Sequence, residues 1–291
     1  MSASTSSPRL PAVGIAYSAY VPTLLDRYPD SIDYVEVPYE LLRHDPRVIE
    51  VGWRTPIVLH CASLSIGGTI PCPEQTIHEI KDWVERTNTP WVGEHLAYIT
   101  ASRSEAGTNP QPYAPGEPYN IGYTVSPPMN EVTLERTIRN LNSYEELFDV
   151  RLLVENSPLY FRMPATTMSQ SEFIQGLCSQ TSVGLLLDLA HLYITSLNMG
   201  FDPLDELAHL PLERVVEVHI SGVDAQLGGF WDDHARPAPG ILYQMLALVA
   251  QSAMLQAVTL EYNWSTSFPA TTLLKELETV RETLCQVHGL G

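Results

Sequence analysis

Basic residues are scarce in this chain: 16 Lys and Arg stand against 34 Asp and Glu in 291 residues, a formal charge of −18 at neutral pH. Nucleic-acid affinity rests largely on cations that neutralise phosphates, so a nucleic-acid partner is disfavoured. The acid excess favours solubility or the attraction of basic partners instead. Cysteine is scarce too. The four cysteines, Cys61, Cys72, Cys178 and Cys285, form no C-x-x-C pair and no dense framework, so neither a zinc ribbon nor a disulfide scaffold is indicated. Scattered thiols suit a reducing compartment. No apolar run approaches the length of a membrane span, and the opening "MSASTSSPRLPAVG" contains no apolar signal region. The expectation is a cytoplasmic protein with no membrane partner.

Eight short runs of β-branched and aliphatic residues recur along the chain, near 12–17, 33–38, 56–60, 90–95, 150–156, 183–189, 214–220 and 257–262. Helical patterns lie between many of them, as in "EQTIHEIKDWVERTN" and "NEVTLERTIRNLNSYEELF". Ser169 and Glu172 have the spacing of a capping box. Alternation of eight strands with helices predicts a TIM (β/α)8 barrel. The early units are less regular, so a distorted or incomplete closure is the alternative. A single domain over residues 1–291 is expected, with a polar tail at 1–11. The Pro-, Gly- and Tyr-rich stretch 100–130 fits no element and comes after the fourth strand, where a long loop reads either as a lid or docking loop or as a plain flexible insertion.

The strand ends carry an unusual set of side chains. Strand three ends at His60 and strand four at His95; strand five ends at Glu155. Strand six ends at Asp188, with His191 just beyond it, strand seven at His219 and strand eight at Glu261. The loop "GGFWDDHARP" adds Asp232 and His234. The C-terminal ends of barrel strands face one mouth, where barrel enzymes keep their chemistry. Taken singly, each residue has a plainer reading: a lone strand-end His is usually a satisfied polar group, and Asp188 can cap the next helix. Repetition in register is what defeats those readings. Buried acids and imidazoles crowded together need compensating positive charge, which metal ions supply. Imidazole mixed with carboxylate suits iron, zinc or manganese, and the number of ligands fits two or three ions. His44, His78, His209 and His288 fall in loops, helices or the tail and receive no role.

The order of these residues resembles the trinuclear zinc site of endonuclease IV, on a barrel of the xylose isomerase type. That pattern implies one metal on His60, His95 and Glu155. A second would share Glu155 and take Asp188, His219 and Glu261, and a third would take His191, Asp232 and His234. The flanking segments "GEHLAY", "LLVENSPLYFRMP", "LLLDLAHLYITSLNMGFDP" and "VVEVHISG" resemble more closely the multinuclear non-heme iron-dependent oxidative enzymes, from about Val13 to Glu261. That resemblance implies two or three irons in mixed Fe2+/Fe3+ states, O2 as co-substrate and Glu155 as the bridging catalytic ligand. It also implies a ribosomally made peptide as substrate, often modified at cysteine, and a separate peptide-binding partner protein. Many members carry Asn where this chain has His191, so the third ligand set is complete here. Glu36-Val37-Pro38-Tyr39-Glu40-Leu41 stands where the family usually has E-x-H-x-E-N, and Cys61 and Ala62 stand where it tends to have glycine. Asn156, Tyr193 and Arg236 are the candidate substrate contacts.

Three other classes compete. A zinc phosphodiesterase like endonuclease IV can use the same ligands, but the charge disfavours it. A metal-dependent sugar isomerase would leave His191, Asp232 and His234 without a task. A metal-storage or sensing protein is the non-catalytic alternative.

Overall fold

Each buried strand of this chain leads, directly or after a loop, into an amphipathic helix, and the eight strands close on themselves. The computed structural model describes residues 10–102, 117–251, 255–262 and 269–289. In chain order the elements are β1 (Ala12–Ala16), α1 (Val21–Arg27), β2 (Val35–Pro38), α2 (Tyr39–His44), β3 (Ile57–Cys61), α3 (Glu74–Thr87), β4 (Trp91–His95), β5 (Tyr98–Ser102), β6 (Pro118–Val125), α4 (Glu131–Glu145), β7 (Arg151–Glu155), α5 (Gln170–Gln180), β8 (Gly184–Asp188), α6 (Leu189–Met199), α7 (Pro203–Leu207), β9 (Val215–Ile220), β10 (Asp224–Gln226), β11 (Gly229–Trp231), α8 (Gly240–Val249), β12 (Ala257–Leu260) and α9 (Ala270–Val287). The barrel runs β1-β2-β3-β4-β7-β8-β9-β12 and back to β1, all parallel. The eight strands expected from the apolar runs are the eight of the barrel, and the closure is complete.

Two hairpins outside the barrel were not anticipated. β5 pairs antiparallel with β6, so residues 100–102 and 118–125 of the 100–130 stretch, which was expected to form no element, are strand. Positions 103–116 of that stretch, like 1–9 of the expected tail, lie outside the described residues. β10 and β11 form a second hairpin just before Asp232.

Local signals set the helix starts. Ser169 accepts from the Glu172 backbone N–H while the Glu172 carboxylate takes the Ser169 N–H, which is the capping box expected from the sequence. Asn130 caps α4 through the Thr133 N–H.

Strand side chains alternate in direction, and inside the barrel this separates a floor from a mouth. Tyr34, Val58, Trp91, Leu153, Leu186 and Ala257 form a small apolar cluster with Val216. Two residues further along the same strands stand Glu36, His60, Gly93, Glu155, Asp188 and Thr259. β9 is brought into this phase by a register shift against β8, where Leu185 pairs with Val215 but Leu186 pairs with Glu217. One extra residue on β9 re-aims the side chains beyond it, so that His219 lies opposite Asp188. Just above the floor, Glu217 accepts hydrogen bonds from Trp91 Nε1 (2.7 Å), Thr259 Oγ1 (2.7 Å) and Tyr34 OH (3.1 Å). This knot ties four strand regions together under the mouth.

Gly93 shows how tightly the interior is filled. A Cβ there would lie 2.8 Å from His60 Cδ2 and 2.9 Å from Leu186 Cδ1. Its missing side chain is the space that the His60 ring uses. Gly93→Ala is therefore expected to destabilise the fold by about 1–3 kcal/mol, the usual range for overpacking, in chemical denaturation. Gly240→Ala, where a Cβ meets nothing within 4 Å, is the control and should leave stability nearly unchanged.

Candidate metal centre

The register of the strands decides which ligand types meet. His95 pairs with Glu155 across β4 and β7, and Asp188 pairs with His219 across β8 and β9. Glu155 is the hub, buried to 1% exposure. Its Oε2 accepts from His60 Nε2 at 2.8 Å and lies 3.4 Å from His95 Nε2, while Oε1 lies 3.1 Å from His191 Nδ1. Both carboxylate oxygens thus face imidazoles of different ligand sets, the arrangement a bridging carboxylate needs. His60, His95 and Glu155 form one compact group of possible ligand atoms, as the sequence order implied.

His191, Asp232 and His234 form another. Asp232 Oδ2 accepts from His191 Nε2 at 3.0 Å and from His234 Nε2 at 2.9 Å. The other oxygen, Oδ1, accepts from Ser221 Oγ at 3.2 Å. The loop carrying Asp232 and His234 can lie against the end of β9 because residue 222 is glycine: a Cβ there would collide with the Arg236 carbonyl. His234 itself holds a left-handed backbone, φ 56°, a conformation that costs a non-glycine residue about 1–3 kcal/mol and persists only where surroundings enforce it.

The middle set differs from expectation in its company. His219 and Glu261 converge with Glu36, and Asp188 converges with Glu155 and His191. Glu36 was not anticipated as a site residue. It sits inside β2, 3% exposed, and its Oε2 accepts from His219 Nε2 at 2.9 Å. That bond leaves His219 Nδ1 facing Glu261 Oε2 at 3.3 Å, close enough for an ion pair but off the line of a hydrogen bond. His219 Nδ1, Glu261 Oε2 and Asp188 Oδ2 are all buried with no hydrogen-bond partner. Buried polar atoms are rarely left so. Half of the six such side-chain atoms among the described residues lie in these two neighbouring groups, Asp188 in one and His219 with Glu261 in the other, and a cation in either group would meet an atom that lacks a partner.

Asp188 has both of the roles the sequence allowed. Its Oδ1 accepts from the His191 backbone N–H at 2.6 Å and caps α6, while its Oδ2 stays free and lies 3.6 Å from His191 Nε2. Asn156 holds Asp188 in place: its Nδ2 donates to the Asp188 carbonyl and its Oδ1 accepts the Asp188 N–H, both at 2.9 Å. The Asn156 backbone carbonyl accepts from His191 Nδ1 at 2.8 Å. Through these three bonds Asn156 positions two other residues. Tyr193 is half-buried against the main core, and Arg236 is exposed and pairs with Asp224.

Charge balance is local. Burial alone would lower the His60 pKa, but Glu36 and Glu155 raise it to about 10. Burial is likewise overridden at His234, which Glu261 and Asp232 raise to about 9. At Glu261 burial is outweighed by His219 and His234, which draw it down to about 2. Asp188 is raised, first by burial and then by Glu261, Asp232 and Glu155 despite His191 beside it. His95 is lowered, chiefly by burial. Such imidazoles hold protons that a metal ion must displace.

The cavity over these residues holds about 710 Å³ and reaches from His95, His191 and Asp232 to Tyr160, Phe161 and Trp231. Among the described residues, no Lys or Arg lines it.

Over residues 12–285 the chain matches the family described as RiPP precursor modification enzyme MbnB/TglH/ChrH, where RiPP denotes ribosomally synthesised and post-translationally modified peptides. The chain belongs to that family. Among curated relatives, a UPF0276 protein of Anaeromyxobacter is 29% identical over 66% of this chain, and the match spans 62% of that relative's length. A UPF0276 protein of Acaryochloris marina is 29% identical over 79% of this chain and 78% of its own. Among solved structures, endonuclease IV from Thermus thermophilus matches 95% of this chain and 100% of its own, with TM-score 0.57 and 18% identity. A xylose isomerase domain-containing protein from Salmonella typhimurium matches 96% and 100%, with TM-score 0.57 and 15% identity. The IOLI protein, solved with a bound zinc atom, matches 96% and 98%, with TM-score 0.58 and 12% identity. These likenesses establish the xylose isomerase-like barrel that the sequence implied. The family establishes an enzyme class that modifies peptide precursors.

The geometry sets two expectations for metal binding. Because His60 and His234 carry protons at neutral pH, metal affinity should rise with pH between 6 and 8, and loading should acidify a weakly buffered solution; a pH-independent affinity would contradict this charge balance. Removing the carboxylate that orients His219, with Glu36→Gln, should weaken metal binding about 10- to 100-fold, the usual cost of losing such a partner. Competition with a fluorescent chelator measures it.

Proposed function

We propose that this protein is an O2-dependent iron oxidase that modifies a residue, namely cysteine, of a ribosomally made peptide. The observation that carries the reading is the ligand set itself: imidazoles and carboxylates from six barrel strands gather around Glu155, with three buried polar atoms left for a cation. Family membership supports the peptide as substrate class.

His60, His95 and Glu155 would hold one iron. Asp188, His219 and Glu261 would hold a second with Glu155 shared, and His191, Asp232 and His234 a third. Iron bound there would supply one-electron redox chemistry, with O2 as the oxidant of the peptide residue. The protein's own part is positional. The Cys61 carbonyl lies 3.3 Å from His95 Nδ1, the Asn156 carbonyl fixes the His191 ring, Glu36 fixes His219, and Ser221 fixes Asp232. Each leaves the opposite atom of its ligand aimed at the centre. The apolar lining of the cavity limits water around the substrate. A separate protein that presents the peptide, and a cytoplasmic location, are part of the proposal.

The competing readings fit less well. A zinc phosphodiesterase must bind phosphates, and no Lys or Arg is among the described residues that line the cavity. A sugar isomerase needs fewer ligands and would leave the His191–Asp232–His234 group unused. Zinc remains the alternative metal, since the same donors accept it.

Protein grown with added iron and purified without oxygen should contain two to three irons per chain with little zinc, and should consume O2 only in the presence of a peptide substrate. Glu155→Gln should lower the iron content by at least one ion and abolish that uptake. Zinc retained through iron supplementation, together with phosphodiester cleavage, would overturn the oxidase reading.

A further inference from the structure

The cavity above the ligands does not stand alone. Beside it lies a second cavity of about 470 Å³, and Leu159 and Met163 line both. The two are separated only by this ridge from the segment between β7 and α5. None of the nine strand-end ligands lines the second cavity. Its walls include Met129, Met163, Met168 and Met199 with Leu192 and Phe201, and the charged Arg162, Glu172 and Glu206 line it as well; four of the chain's seven methionines meet there. Unbranched thioether side chains adapt to irregular apolar guests, which is why methionine is frequent at permissive binding surfaces.

Exposed large apolar side chains border both cavities. Tyr123, Phe161 and Trp231 are exposed around the first cavity and Phe201 at the second. Tyr160 and Trp231 stack with ring centroids 4.5 Å apart, which makes one wall of the first cavity a flat aromatic face. Exposed apolar side chains gathered at a cavity mark a binding site. No Lys or Arg is among the described residues that line the first cavity, so those residues recognise an occupant by burial of neutral side chains.

We infer that the methionine-lined cavity is a second substrate subsite, which takes one bulky apolar side chain of the peptide while the residue to be modified sits over the ligand cluster. The inference rests on the proposed peptide substrate. An extended chain crossing the Leu159–Met163 ridge places side chains on both sides of it, because successive side chains point in different directions. The subsite selects the peptide through a residue that is not modified, and so sets which position in a precursor reaches the metals. Binding energy gained away from the reacting atoms serves to hold the reactive residue in place.

The test uses the iron-loaded protein, immobilised, and a pool of octapeptides with one central Cys and all other positions randomised. Met199→Trp fills the second cavity from α6, and Met168→Trp fills it from the opposite wall; neither residue belongs to the ligand set. The wild-type protein should retain Cys peptides with Phe, Leu or Met enriched at one fixed offset from the Cys. Both variants, with melting curves and iron content like the wild type, should lose that enrichment by about tenfold, the scale of one buried apolar side chain, yet still retain Cys peptides. Cys peptides retained by the wild type with no apolar preference, or a preference unchanged in both variants, would overturn the subsite. Failure to retain Cys peptides over Ser-substituted ones would instead overturn the peptide reading on which it rests, and the subsite with it.

Discussion

Charge balance in a buried mouth is the constraint on which the rest of this structure depends. Four carboxylates and five imidazoles from the strand ends, with Glu36 behind them, share a space from which water is largely excluded. A buried charge is tolerated only when an opposite charge or a set of hydrogen bonds meets it. The barrel meets this by interleaving the two types. Glu155 lies among three imidazoles and Asp232 between two, and Glu261 lies 3.3 Å and 3.7 Å from His219 and His234. The apolar floor, the absent side chain of Gly93 and the donors around Glu217 all keep that interleaving in register. The balance is incomplete at Asp188, His219 and Glu261, each of which has a buried atom without a hydrogen bond. A cation bound beside any of them would improve it.

The groups around the ligands have a common logic. Each fixes one end of a ligand and leaves the other end aimed inward. The Asp188 carboxylate divides its two oxygens between a helix N-terminus and the centre. The first turn of α6 and the metal set are therefore coupled: rotating Asp188 to suit a different ion would uncap the helix that carries His191. Asn156 couples them again, since it grips the Asp188 backbone with its side chain and His191 with its carbonyl. Such coupling makes the geometry stiff, and stiffness is what allows a site of weak individual ligands to discriminate by spacing.

Much of this was legible in the sequence, for identifiable reasons. Strands of a parallel barrel are buried on both faces, so they read as short apolar runs, and their C-terminal ends share one mouth. A polar residue that ends such a run is then conspicuous, which is how His60, His95, Glu155, Asp188, His219 and Glu261 could be found without a structure. Glu36 and Glu217 escaped because they lie inside their strands, in "DYVEVP" and "RVVEVHI", rather than at the ends. The signal was present: an acid between two valines in a buried strand needs a partner, and both point into the barrel. The β5–β6 and β10–β11 hairpins escaped for the opposite reason. They cover the barrel instead of filling it, and β6 is exposed or half-buried throughout, so no apolar alternation announces it.

The barrel itself says little about chemistry, since proteins of 12–18% identity share it. Chemistry is decided by what stands at the strand ends, and substrate by what lines the cavity above them. In this chain the two scales of charge act differently. The net charge of −18 produces a field that reaches beyond the surface and attracts cationic chains on approach, screened over about 8 Å at physiological ionic strength. Away from His95, His191 and Asp232, the described residues that line the cavity are mostly aromatic and aliphatic and include no Lys or Arg, so the last step of recognition there is burial rather than ion pairing. A long, flexible polymer suits that division better than a small anionic metabolite does. Its basic stretches can respond to the outer field while a neutral residue enters the mouth. A phosphate or phosphosugar would be repelled on approach and would meet no Lys or Arg among the described residues that line the cavity over the ligands. Surface charge and cavity lining thus disfavour the small anionic substrates independently, and both favour a peptide.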